Sequence, residues 1–229
     1  MVHNSFSILK KKGLELSQIK ILEPSCGSGN FLQVIIEELH LETKKSYKAI
    51  VEENIYCLDI DSEAMQVSKE RIEEIFSVPL KNVFCENALF FKEKEFDLII
   101  GNPPYFVCKK EDVPDSYKEF ISGRPNMFGV FILHSIAKLK PKGVLAFVVP
   151  KSFLNSAYYA SIRNHIRTTC EICAIEDYED NNDFLETDQT TFGLVFKKLE
   201  TPIEEVELED CDYSVRVNGD FIFTDRKST

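Results

Sequence analysis

The chain has 229 residues, 44% hydrophobic and 28% charged, which is ordinary for a globular protein and enough for one sizeable α/β domain. Its formal net charge is −11, from 27 basic and 38 acidic residues, the wrong sign for a domain that must hold nucleic acid unaided through phosphate contacts. No apolar run approaches the roughly 20 residues of a membrane helix. The start, MVHNSFSILKKKG, lacks the apolar core and cleavage site of a signal peptide. The seven scattered cysteines suit reduced thiols in the cytoplasm.

Strand and helix patterns alternate for most of the chain. IKILEP (19–24) reads as a buried strand and NFLQVIIEEL (30–39) as a helix, followed by NIYCLDI (54–60) as a strand. SEAMQVSKERIEEIF (62–76) is a charged amphipathic helix with Asp61 as its expected N-cap. VFCEN (83–87) and FDLIIGN (96–102) are strands; after a long loop come a helix at 127–139 and the strand GVLAFVVP (143–150). A helix over 152–166 and strands at 170–178 and 190–199 complete the pattern, and the acidic stretch past 200 suggests one or two short strands. Such alternation predicts a doubly wound, mostly parallel sheet with helices on both faces. Cys170 and Cys173 form a lone C-x-x-C without a second pair, so they read as buried thiols. His3, His40, His134 and His165 have no metal-ligand spacing.

Open α/β sheets bind ligands beyond the carboxyl ends of their strands. The first such end reads EPSCGSGNFL (23–32). Gly27 and Gly29 permit a tight turn, but Leu32 stands where a dinucleotide fingerprint needs its third glycine, and the G-K-[ST] of a phosphate loop is absent. No Lys or Arg occurs between Lys20 and Lys44, whereas Glu23 sits at the turn. A glycine loop with a carboxylate and no cation suits a cationic ligand better than a pyrophosphate. Asp59, at the next strand end, is placed to accept from a ribose diol. S-adenosylmethionine, a nucleoside carrying a sulfonium, meets both requirements; a plain strand–turn–helix with a solvated acid is the alternative.

The fourth strand ends in Asn102-Pro103-Pro104-Tyr105. An exocyclic amine on a conjugated ring is a poor nucleophile because its lone pair is delocalised. Two fixed acceptors, the Asn102 side-chain oxygen and the Pro103 carbonyl, can draw its N–H groups out of plane and localise that lone pair. Tyr105 offers a face for stacking. A sulfonium methyl is already activated, so transfer needs positioning rather than a strong base. The alternative is a packed N-P-P turn.

With these motifs in one chain, the sequence resembles the gamma-type DNA adenine methyltransferases of restriction–modification systems. EPSCGSGNFL is similar to their first motif, LDID (58–61) to the second and IIGNPPY (99–105) to the fourth, and residues 124–154 resemble the segment that follows. The likeness runs from about residue 19 to 199. It implies a Rossmann-like S-adenosylmethionine-dependent methyltransferase fold with a mostly parallel seven-stranded sheet, and N6-methylation of a flipped adenine in DNA. Asn102, Pro103, Pro104 and Tyr105 would be the catalytic motif. Glu23, Ser25, Cys26, Gly27, Gly29, Asp59, Ile60, Asn87, Asn102 and Phe131 would contact the cofactor, and Tyr105 and Phe184 the base. Asn87 stands where the family usually has Asp; Phe131 reads equally as a helix-core aromatic, and Phe184 as a residue fixing its acidic loop. The loop 106–126 would flank the extruded nucleotide or serve as a solvated connector.

The resemblance divides the chain into an N-terminal extension (1–18), a catalytic domain (19–200) and a tail (201–229) beginning a missing target-recognition region. A recognition domain or specificity subunit carrying the basic surfaces would reconcile DNA as partner with the acidic charge. Protein-glutamine and ribosomal-RNA guanine methyltransferases share the N-P-P-Y logic, and a non-catalytic cofactor- or DNA-binding module is the reading from another class.

Overall fold

The computed structural model describes residues 1–203 apart from 94, 122 and 178–190. Its centre is a seven-stranded sheet: β1 (Ile21–Glu23), β2 (Ile55–Asp59), β3 (Asn82–Cys85), β4 (Phe96–Gly101), β5 (Leu139–Pro150), β6 (Cys170–Asp177) and β7 (Thr191–Lys198). The order is β3-β2-β1-β4-β5-β7-β6. The pairs among β1 to β5 are parallel, and β7 runs antiparallel between β5 and β6. The expected parallel, doubly wound architecture is therefore present, and the order reverses between β1 and β4, where such sheets open a ligand crevice.

Period-two alternation builds two cores. Ile99, Leu145, Phe147 and Val149 face one side of the sheet with helix α5 (Met127–Lys138), the short α6 (Ser152–Asn155) and α7 (Ala160–Thr169). Leu98, Ile100, Val144 and Ala146 face the other, against α1 (Val2–Lys11), α2 (Asn30–Thr43), α3 (Tyr47–Glu53) and α4 (Ser62–Phe76). β4 is buried along its whole length, as a central parallel strand covered on both faces must be.

Three local features depart from the sequence reading. Residues 1–18 contribute α1, whose Val2, Phe6 and Leu9 are buried in the same core as α2 and β5. Full burial of such side chains contributes about 1.5–3 kcal/mol each, so the segment is integral to the packing of the described domain. α3 has no counterpart among the expected elements; Ser46 caps it by accepting from the Ala49 N–H at 3.2 Å. The helix expected over 152–166 is broken: Ser156 turns extended and accepts from Tyr158, ending α6 before α7 begins. Asp61 caps α4 as expected, accepting from Glu63 and Ala64. Among the described residues no helix is long and apolar enough to cross a membrane.

Candidate active site

The β1 end and its glycine loop are built around two carboxylates. Gly27 and Gly29 take left-handed φ values of 51° and 80°, which L side chains resist. A Cβ on Gly29 would also stand 2.6 Å from Ser68 Oγ, so α4 leaves no room for one. Ser68 donates to the Gly27 carbonyl at 3.1 Å, holding the loop from below. Asp59 holds it from β2: one carboxylate oxygen accepts from the Gly27 N–H at 2.8 Å and the other from the Asp61 N–H at 3.0 Å. Cys26 is buried, with its N–H on the Leu58 carbonyl at 2.9 Å and its Sγ 3.3 Å from Met65 Sδ. The thiol fills the floor of the loop.

Glu23 is only 2% exposed, and its Oε2 has no hydrogen-bond partner among the described residues. Burial, then the neighbouring Cys26 and Asp59, push its carboxyl well above the usual range, while the Leu32 backbone N–H pulls it down. Gly101 of β4 leaves the space it occupies: a Cβ there would lie 3.3 Å from Glu23 Cγ.

The β4 end is tied directly to this loop, because Ser25 Oγ donates to the Asn102 carbonyl at 2.9 Å. The Asn102 side chain is exposed and Pro103 buried, with Pro104 and Tyr105 between those extremes. Tyr105 is held from two directions. Its ring meets Phe128 edge-on at 6.1 Å, and its hydroxyl reaches both the Asn102 Oδ1 and the Val148 carbonyl, the latter at 2.9 Å. One hydroxyl proton serves two acceptors, so the contact steadies the Asn102 amide while leaving its oxygen a further lone pair. Burial raises the phenol pKa, keeping it a neutral donor. Sequence reasoning assigned Tyr105 its ring alone; the hydroxyl role depends on a carbonyl 43 residues away and left no local signal.

Other expected residues are distributed unevenly. Ile60 follows Asp59 and is 72% exposed at the same strand edge. Asn87 caps a short 3-10 turn, its side-chain oxygen accepting from the Leu89 N–H at 3.0 Å, so that oxygen already has one partner. Phe131 is buried in the α5 core with Phe128 and Phe153. Phe184 lies outside the described residues. The 106–126 loop leaves the motif as a closed structure: the Phe106 carbonyl accepts from Met127 N–H at 2.9 Å and the Cys108 N–H donates to Pro125 at 3.0 Å. Val113 is buried beneath it, and the Tyr117 hydroxyl lies 3.1 Å from Nδ1 of His134, whose imidazole burial holds down at about 4.

The family profile described as Eco57I restriction-modification methylase matches residues 73–184, and one described as RMKL-like methyltransferase domain matches 16–122. The modification methylase CviBIII of Paramecium bursaria Chlorella virus NC1A is 32% identical over 181 residues, covering 77% of this chain and 42% of that protein. The chain spans less than half the length of the curated relatives it matches first. The M protein of the type I restriction enzyme EcoKI superposes with a TM-score of 0.67 at 16% identity, covering 86% of this chain and 42% of that one. A Listeria monocytogenes protein provisionally assigned as a class I S-adenosylmethionine-dependent methyltransferase gives 0.67 at 18%, covering 90% and 61%. These two likenesses concern the fold, which is that of the S-adenosylmethionine-dependent methyltransferases. Together the two profiles and the curated relatives support a restriction-modification DNA methyltransferase catalytic domain in this chain.

Proposed function

We propose that this chain methylates the exocyclic N6 amine of adenine in DNA, using S-adenosylmethionine, on a base extruded from the duplex. The observation that carries the reading is the Ser25–Asn102 bond, which joins an acidic glycine loop to the Asn-Pro-Pro-Tyr motif across adjacent strand ends. The residues fit the cofactor: a buried carboxyl with an unpartnered oxygen faces the loop, no cation lies in the loop, and two glycines leave backbone open to approach.

Glu23, Ser25, Cys26 and the Gly27–Gly29 turn would hold the methionine end. Asp59 would accept from the ribose diol, each of its oxygens keeping a lone pair beyond its backbone contact. Ile60, Asn87 and Phe131 would border the adenine ring, with the Asn87 amide oxygen shared with its turn. When bound, the cofactor supplies a methyl group already activated by positive sulfur. Asn102 Oδ1 and the Pro103 carbonyl accept the two N–H groups of the target amine and turn its lone pair outward. Pro103 and Pro104 stiffen the backbone that carries these acceptors. Tyr105 steadies the Asn102 amide and borders the base, and Phe184 is proposed as a second base-contacting aromatic. Base extrusion is required because the amine is inaccessible within the stack.

In this reading residues 19–200 carry the catalytic motifs, with α1 completing their core, and the chain acts in the cytoplasm. Recognition of the DNA sequence is assigned to a region or subunit other than these residues, consistent with the acidic net charge of −11. Methyl transfer from radiolabelled S-adenosylmethionine to duplex DNA, with nucleoside digestion and mass spectrometry, tests the proposal. N6-methyladenine from the wild type and none from Asn102→Ala is expected. Methylcytosine as the product would contradict the base assignment, and an inert wild-type chain would contradict autonomous catalysis.

A further inference from the structure

Glu23 is an unusual cofactor contact because no group among the described residues neutralises it. The titratable groups facing it are the Asp59 carboxylate from β2 and the Cys26 thiol from the loop, and both disfavour a second negative charge. β4 presents Gly101, which has no side chain, and α2 presents only the Leu32 backbone N–H. The carboxyl is 2% exposed and its Oε2 is unpartnered. An ionised group so placed lacks both water and a counter-charge, so the ligand-free site is most stable with Glu23 protonated. A ligand ammonium or sulfonium brings the missing counter-charge.

From this geometry we infer that cofactor binding releases a proton from Glu23: the carboxyl O–H ionises to solvent as the ligand's positive charge takes its place. This rests on the S-adenosylmethionine reading above and adds a selection rule to it. The site discriminates by charge, and its affinity for a cationic ligand rises with pH, by up to about tenfold per unit, until the free carboxyl itself ionises. A ligand lacking the positive charges leaves Glu23 protonated and gains nothing from alkalinity.

Calorimetric titration of the full chain with S-adenosylmethionine at pH 6.5, in phosphate and in Tris, counts the protons. At that pH the ligand's own α-amino group, ordinarily titrating at about 7.7–8.0, stays charged. The expected result is a binding enthalpy that differs between buffers in the sense of net proton release. Glu23→Gln should abolish the difference and weaken binding. Should that variant not fold, the wild-type buffer comparison still decides, with NMR of carboxyl-labelled glutamate identifying the group that loses its proton. Binding with equal enthalpies in both buffers, or proton release surviving in Glu23→Gln, overturns this inference alone. No binding in either buffer overturns the cofactor reading and the inference with it.

Discussion

The two edges of the parallel sheet both contain buried polar side chains, yet they treat them in opposite ways. At the amino edge such groups are answered by their neighbours. Asn54, 1% exposed, donates to the Ile19 and Ser17 carbonyls at 2.7 and 3.2 Å and accepts from Lys45 at 2.8 Å. Asp97, 4% exposed, accepts from the Lys20 N–H and the Lys140 ammonium. Lys138 is buried against the Phe91 and Glu93 carbonyls. At the carboxyl edge, Glu23 has an unpartnered oxygen and Asn102 an exposed amide. A buried polar group with its valences filled holds strands together; one with an open valence is a place for a ligand. At these strand ends the difference distinguishes groups that hold the sheet together from groups left available to a ligand.

Substitutions at the two edges should therefore fail in different assays. Asn102→Ala is expected to lower methyl transfer to DNA by about 100-fold or more, with a melting temperature near that of the wild type because the side chain is exposed. Asn54→Ala should instead cost about 1–3 kcal/mol in urea unfolding, since it strands the buried Ile19 carbonyl, while Ser17 and Lys45 keep their bond to each other. Asp59→Ala removes a carboxylate that anchors Gly27 and Asp61. About 10- to 100-fold weaker S-adenosylmethionine binding by calorimetry is expected, the scale of one charged hydrogen bond.

The smallest effect has a defined pH signature. The Glu23 carboxyl is raised by burial above its unfolded value, so the stability associated with its proton is fully present below about pH 4.5. That stability is lost as pH rises through the folded value, by at most about 1.4 kcal/mol per pH unit. Glu23→Gln lacks the loss, so its stability relative to the wild type should grow as pH rises above about 4.5, until the folded carboxyl itself ionises, in parallel urea titrations. A constant difference across that range would show the carboxyl is not held protonated in the fold.

What was legible beforehand follows the same division. The motif Glu23–Leu32, the acid Asp59 and the run Asn102–Tyr105 each stand at the carboxyl end of an apolar stretch, so sequence alone placed them on one edge. Alternation of apolar runs likewise exposed the doubly wound sheet. The rest depended on contacts distant in sequence. Asn54 reads as the first residue of a strand, and its partners lie 35 and 37 residues away. α1 shows only three buried apolar anchors ahead of a lysine run, too few for its period to stand out. The antiparallel β7 between β5 and β6 is a matter of strand order, which periodicity does not carry. Phe131 lies in the α5 core, where an aromatic at helical spacing looks the same whether it packs or binds.

The most direct test of the contrast is the rise in melting temperature produced by saturating S-adenosylmethionine in the wild type, Asn54→Ala and Glu23→Gln, measured side by side near neutral pH. A ligand that binds only the folded state raises the midpoint more the tighter it binds. The account predicts that Asn54→Ala starts from a lower midpoint and keeps the ligand-induced rise, while Glu23→Gln starts no lower than the wild type and loses most of the rise. A rise lost in Asn54→Ala and preserved in Glu23→Gln would contradict it.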